Sequence, residues 1–109
     1  MLLGTSAVVT GASRGIGRAV AGALAAAGAR VFLISRSAGD LEQVATVIGR
    51  GAVAVPCDVT NADAVNRAVD VIGESAAAGP MILVNNAGVF PLGAIERTDP
   101  AIFERALQA

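Results

Sequence analysis

The stretch Thr10-Gly11-Ala12-Ser13-Arg14-Gly15-Ile16-Gly17 constrains this chain more than any other. It follows the apolar run Ala7-Val8-Val9 and leads into an alanine-rich segment with helical spacing, so its glycines fall where a strand turns into a helix. Without Cβ atoms, Gly11, Gly15 and Gly17 let the backbone turn tightly, approach a pyrophosphate and seat the helix close to a sheet. The first free N–H groups of that helix then face the phosphates, with the positive end of the helix dipole behind them. Glycines in this spacing also suit a strand-to-helix turn that binds nothing. Their place between this strand and this helix points to nucleotide binding.

At 109 residues the chain reads as one domain spanning 1–109, with room for a single core. Apolar residues make up 54% and aromatic residues only 3%, so that core must be built from Ala, Val, Leu and Ile. Such a composition suits a parallel sheet buried on both faces. The net charge is −1 and the cations are dispersed, leaving no basic stripe for a nucleic-acid partner. The longest apolar run, Ala19 to Ala29, is bracketed by Arg18 and Arg30 and is far shorter than a bilayer span. The Met1-Leu2-Leu3 start lacks the basic region and apolar stretch of a signal peptide, so no membrane partner and a cytoplasmic location are expected. Cys57 has no second cysteine to pair with and reads as a small buried residue at a strand end. There is no His, Tyr or Trp, and all eight cations are Arg. Most side chains that do acid–base work near neutral pH are therefore missing, as are zinc sites built from His and Cys.

Apolar periodicity orders the rest. The first helix should turn Ile16, Val20, Leu24 and Ala27 inward and end at Gly28. Val31-Phe32-Leu33-Ile34 reads as a central strand. A second helix begins near Gly39 or Asp40, buries Leu41, Val44, Ala45 and Ile48, and ends around Gly49 to Gly51. Val53-Ala54-Val55 is a third strand, and Pro56 puts it at a sheet edge. Thr60 stands three residues before Asp63, as in a capping box, ahead of a helix with Val65, Val69, Ile72 and Ala76 inward. Met81-Ile82-Leu83-Val84 is a fourth strand, and Asp99-Pro100 starts a last short helix. Strands alternating with helices predict an α/β fold, a doubly wound parallel sheet with right-handed crossovers and helices on both faces. The expected strand order is 3-2-1-4, with the glycine turn at the switch point between strands 1 and 4.

Three motifs in register, Thr10 through Gly17, Asp58-Val59 after strand three and Asn85-Asn86-Ala87-Gly88 after strand four, together resemble the short-chain dehydrogenase/reductase family. A weaker likeness points to its 3-oxoacyl-acyl-carrier-protein reductase-like members. The resemblance implies a Rossmann sheet carrying a dinucleotide, with cofactor-binding positions at Gly11, Ser13, Arg14, Gly15, Ile16, Gly17, Ser35, Arg36, Asp58, Val59, Asn86, Ala87 and Gly88. Asp58 offers an acceptor for an adenine amino group and the Val59 N–H a donor to the ring; a capping or loop aspartate is the plainer alternative. Asn86 can tie strand ends together while Ala87 and Gly88 let a ribose come close. Asn85 reads first as a side chain that satisfies backbone groups.

Cofactor choice is read at the end of strand two, where NAD-selecting sites carry an acid for the ribose 2′-hydroxyl. Here the segment is Ile34-Ser35-Arg36-Ser37, and Asp40 comes too late. Arg36, with Arg14 opposite, would meet a 2′-phosphate with planar donor forks, which favours NADP over NAD; either arginine also reads as a solvated surface charge. The family's hydride transfer is assisted by a Ser, a Tyr and a Lys four residues after the Tyr, and the chain contains no Tyr and no Lys. Ser6, Ser13, Ser35, Ser37 and Ser75 all lie upstream of the expected catalytic Ser. The expectation is the cofactor half of an oxidoreductase, incomplete at its C-terminus and inactive by itself, which acts on a carbonyl or alcohol only in a complete chain. A non-catalytic nucleotide-binding module and a non-functional truncation product are the alternatives. Without further strands, Met81 to Val84 is expected to be an apolar edge that drives self-association.

Overall fold

The computed structural model describes residues 1–76 and 79–85. Within them the order is β1 (Ser6–Thr10), α1 (Gly15–Ala26), β2 (Arg30–Ser35), α2 (Ala38–Ile48), β3 (Val53–Pro56), α3 (Ala62–Ser75) and β4 (Met81–Val84). The four strands form one parallel sheet in the order β3-β2-β1-β4. Register is set by pairs such as Val8 with Phe32 and with Leu83, and Ile34 with Val55.

Successive strand residues point to opposite faces, and here both faces are apolar. Val8, Phe32, Ile34 and Val55 meet Val65, Ala68, Val69 and Ile72 of α3 on one side. Ala7, Val9, Val31 and Leu33 meet Ala21 and Ala25 of α1 and Leu41 and Val44 of α2 on the other. The division follows from chain direction. From β1 to β3 the chain steps one way across the sheet; from β3 to β4 it steps back, and crossovers of one hand then put α3 on the opposite face. All five residues of β1 are buried, as befits a strand with neighbours on both sides and helices above and below. No helix among the described residues is long and apolar enough to cross a membrane.

One expectation about α1 is overturned. Its buried residues are Gly17, Ala21 and Ala25, while Ile16 is 74% exposed and Val20, Leu24 and Ala27 are only half-buried. The helix is rotated by about one position from the face that its large residues suggest. Small side chains let its backbone lie near the sheet, and the larger residues flank that contact. Gly28 does end α1: its N–H donates to the Ala25 carbonyl at 3.0 Å and the Ala29 N–H to Leu24 at 3.1 Å, with Gly28 at φ 103°. This is the paired-bond stop that glycine favours. The α3 cap also falls one residue later than the spacing suggests. Asn61, not Thr60, accepts from the Ala64 N–H at 3.0 Å, because the Thr60 hydroxyl is engaged elsewhere. Pro56 lies at the end of β3, an outer strand among the described residues, where a missing N–H costs no ladder bond.

Candidate functional site

Parallel strands bring the loops that follow β1, β2 and β3 to one end of the sheet, and these loops enclose a groove of about 400 Å³. That volume lies within the few-hundred-Å³ range usual for small-molecule sites. One wall is the glycine turn, with Gly11, Ser13 and Arg14 lining the groove. The turn is anchored where the Ala12 N–H donates to the Ile34 carbonyl at 3.1 Å. Gly11 and Gly15 have φ of 62° and 60°, a left-handed backbone that a side chain would strain. Arg14 occupies the N-cap position of α1 in an extended conformation and its side chain makes no capping bond. A guanidinium cannot accept hydrogen bonds, so it leaves the first-turn N–H groups to other acceptors. Gly17 sits one turn on, buried against the sheet side. Ile16 projects to the exterior and does not line the groove.

The second wall is the end of β2. Ser35, Arg36 and Ser37 line it. The Ser35 hydroxyl oxygen accepts from the Ser37 N–H at 3.0 Å, which leaves its own O–H available to donate. Arg36 is exposed, with its charge toward the same opening. The third wall is Cys57 to Thr60, held to β2 by the Cys57 N–H donating to the Ser35 carbonyl at 2.8 Å.

Asp58 takes the plainer of the two roles that its sequence context left open and also borders the groove. Its Oδ1 accepts from the Thr60 hydroxyl at 2.6 Å and from the Thr60 N–H at 2.9 Å, so it is a loop aspartate in a local turn. It also lines the groove beside Val59, where a ligand can reach it. The Thr60 bonds, with a smaller contribution from the Arg36 guanidinium, hold its carboxyl below the usual carboxylate range. Burial and the neighbouring Asp58 charge push the Cys57 thiol up, against a weaker pull from Arg67, which favours the protonated thiol over the thiolate.

Glycine turn, Ser35-Arg36 and Asp58-Val59 are thus brought together. Asn86, Ala87 and Gly88 lie outside the described residues, as do the loop and short helix expected after them. The sequence did not single out Ile34, Cys57, Ser37 and Thr60 as groove residues, nor Thr10 as a tie between strands. Thr10 Oγ1 lies 3.4 Å from the Val84 carbonyl and 3.2 Å from Asn85 Oδ1, which joins the ends of β1 and β4 at the switch point. Asn85 therefore has the structural task that its sequence position allowed. Only the last-residue position of Thr10 in a strand ahead of a glycine turn hinted at this.

A doubly wound parallel sheet with a glycine turn at its switch point defines a Rossmann-type nucleotide fold. The chain belongs to the short chain dehydrogenase family, which it matches over residues 5–109. It is 40% identical over 106 residues to a galactitol 2-dehydrogenase (L-tagatose-forming) of Cereibacter sphaeroides, covering 95% of this chain and 41% of that protein. The 3-oxoacyl-[acyl-carrier-protein] reductase MabA of Mycobacterium tuberculosis is 38% identical over 105 residues, covering 95% of this chain and 38% of the reductase. A metagenomic short-chain oxidoreductase solved in complex with NADP superimposes with a TM-score of 0.66 at 38% identity, covering 74% of this chain and 38% of that one. The chain therefore spans about two fifths of the length of the curated relatives that it matches.

Proposed function

We propose that this chain forms the NADP(H)-binding part of an oxidoreductase that moves hydride between a nicotinamide cofactor and a carbonyl or alcohol substrate. The observation that carries the reading is the convergence of Gly11 to Arg14, Ser35 to Ser37 and Cys57 to Thr60 on one groove at the carboxyl ends of three parallel strands. The donor set fits a 2′-phosphorylated dinucleotide. Arg36, the Ser35 hydroxyl and Arg14 supply cationic and neutral donors for the 2′-phosphate, and no acid stands at the end of β2 to receive a free 2′-hydroxyl. The turn at Gly11 to Gly17 and the open first turn of α1 receive the pyrophosphate. Asp58 and the Val59 N–H then meet the adenine, and the ribose is assigned to Asn86, Ala87 and Gly88 on their motif alone. The bound nicotinamide supplies the hydride, and these residues orient it without taking part in proton transfer. Similarity to a dehydrogenase, a reductase and an NADP complex supports the same reading.

Calorimetric titration of the full chain with NADPH and NADH tests it. Tighter binding of NADPH is expected, and Arg36→Ala should cost about tenfold in NADPH affinity while leaving NADH nearly unchanged. Equal affinities, or a preference for NADH, would overturn the NADP assignment. A second reading, nucleotide binding without catalysis, is favoured for these 109 residues by their lack of any Tyr or Lys. The chain alone should then show no carbonyl-dependent oxidation of NADPH. Self-association through β4 belongs to the proposal too, since Ile82, Leu83 and Val84 are half-buried and β4 pairs only with β1 among the described residues. Light scattering that shows a monodisperse monomer would remove it.

A further inference from the structure

The Asp58-Thr60 turn does more than close a loop. A carboxylate on the rim of a groove ordinarily samples several rotamers, whereas two donors from one residue converge here on a single oxygen, Oδ1. The other oxygen, Oδ2, has no hydrogen-bond partner among the described residues. Thr60 itself is exposed, and its hydroxyl makes no other bond. Its side chain is therefore spent on orienting Asp58. We propose that Thr60 is a positioning residue that locks the Asp58 carboxylate and thereby sets discrimination between 6-amino and 6-oxo purines in the nucleotide. The inference rests on the placement of adenine at Asp58 given above.

The chemistry follows from donor and acceptor counts. A 6-amino group donates to a carboxylate, whereas a 6-oxo group sets a carbonyl oxygen against it. A locked carboxylate cannot turn aside, so it rejects the 6-oxo base; a free one can rotate and relieve the repulsion at small cost. Direct hydrogen bonds from Thr60 also outweigh the pull of Arg36 as the influence that keeps Asp58 ionised, so the acceptor is charged throughout the neutral range.

The test measures affinities of the full chain for NADPH and for its hypoxanthine counterpart, in wild type, Thr60→Val, Thr60→Ser and Asp58→Ala. Thr60→Val should lower the ratio of adenine to hypoxanthine affinity about fivefold or more, and Thr60→Ser, which keeps the hydroxyl, should preserve it. A merely structural role would weaken both ligands equally and leave the ratio intact. An unchanged ratio in Thr60→Val, with a collapsed ratio in Asp58→Ala, overturns the role of Thr60 alone. An unchanged ratio in Asp58→Ala as well overturns the placement of adenine, and the proposal with it.

Discussion

The rotation of α1 sets how near its N-terminus comes to the groove, and it can be tested by stability. Ala21 has no exposed surface and belongs to the buried cluster that α1 forms with the sheet, together with Val9, Val31 and Leu33. Ala21→Leu forces three extra carbons into that contact, and overpacking of this kind costs about 1–3 kcal/mol. Ile16 is 74% exposed, so about a quarter of its surface is covered. Complete burial of such a side chain stabilises by about 1.5–3 kcal/mol, which puts the loss in Ile16→Ala at roughly 0.5 kcal/mol. In a domain of this size 1 kcal/mol moves Tm by about 4–8 °C, so the two variants should separate clearly. With no Trp or Tyr in the chain, far-UV circular dichroism during thermal or urea unfolding is the suitable readout. The reverse order, a neutral Ala21→Leu beside an Ile16→Ala that loses about 2 kcal/mol, would refute the small-residue face and restore the arrangement that the large side chains suggest.

Removing the α3 cap with Asn61→Ala should cost about 1 kcal/mol in urea unfolding, whereas Thr60→Val should cost less, because Thr60 does not cap the helix. Arg50 is a non-glycine residue at φ 55°, and Arg50→Gly relieves a left-handed strain of about 1 kcal/mol, so a raised unfolding midpoint is expected. The carboxyl pKa of Asp58 is depressed in the fold, so its contribution to stability is full above the unfolded value near 4 and is lost as pH falls through the lower folded value. Urea midpoints measured from pH 6 to pH 2 should fall less steeply in Asp58→Asn than in wild type over the acid end of that range; parallel curves would contradict the Thr60 bonds.

Much of the architecture was legible in the residues because it depends on local pattern. Alternating apolar strands and helical spacing place β1 to β4 and α1 to α3, and a glycine turn after the first strand places the switch point. Gly28 as a helix stop and Pro56 at an outer strand are likewise local, since each follows from backbone geometry. The facing of α1 was not legible. Apolar residues occur all round that helix, so periodicity favours the largest ones, while contact with a sheet rewards whichever face lets the backbone come closest.

The candidate site divides along the same line. Glycines 11, 15 and 17, the arginine after β2 and the aspartate after β3 were visible as residues at strand ends. That Ser37 and Thr60 line the same groove was not visible, because neither belongs to a motif that marks it. Local chemistry by itself determined the parallel sheet, its strand order and the glycine turn at the switch point. Only the tertiary structure decided which helix face is buried and that Asp58, held by its local turn to Thr60, shares one groove with Arg14 and Arg36. Those outcomes depend on packing distances, which do not exist until the strands are assembled side by side.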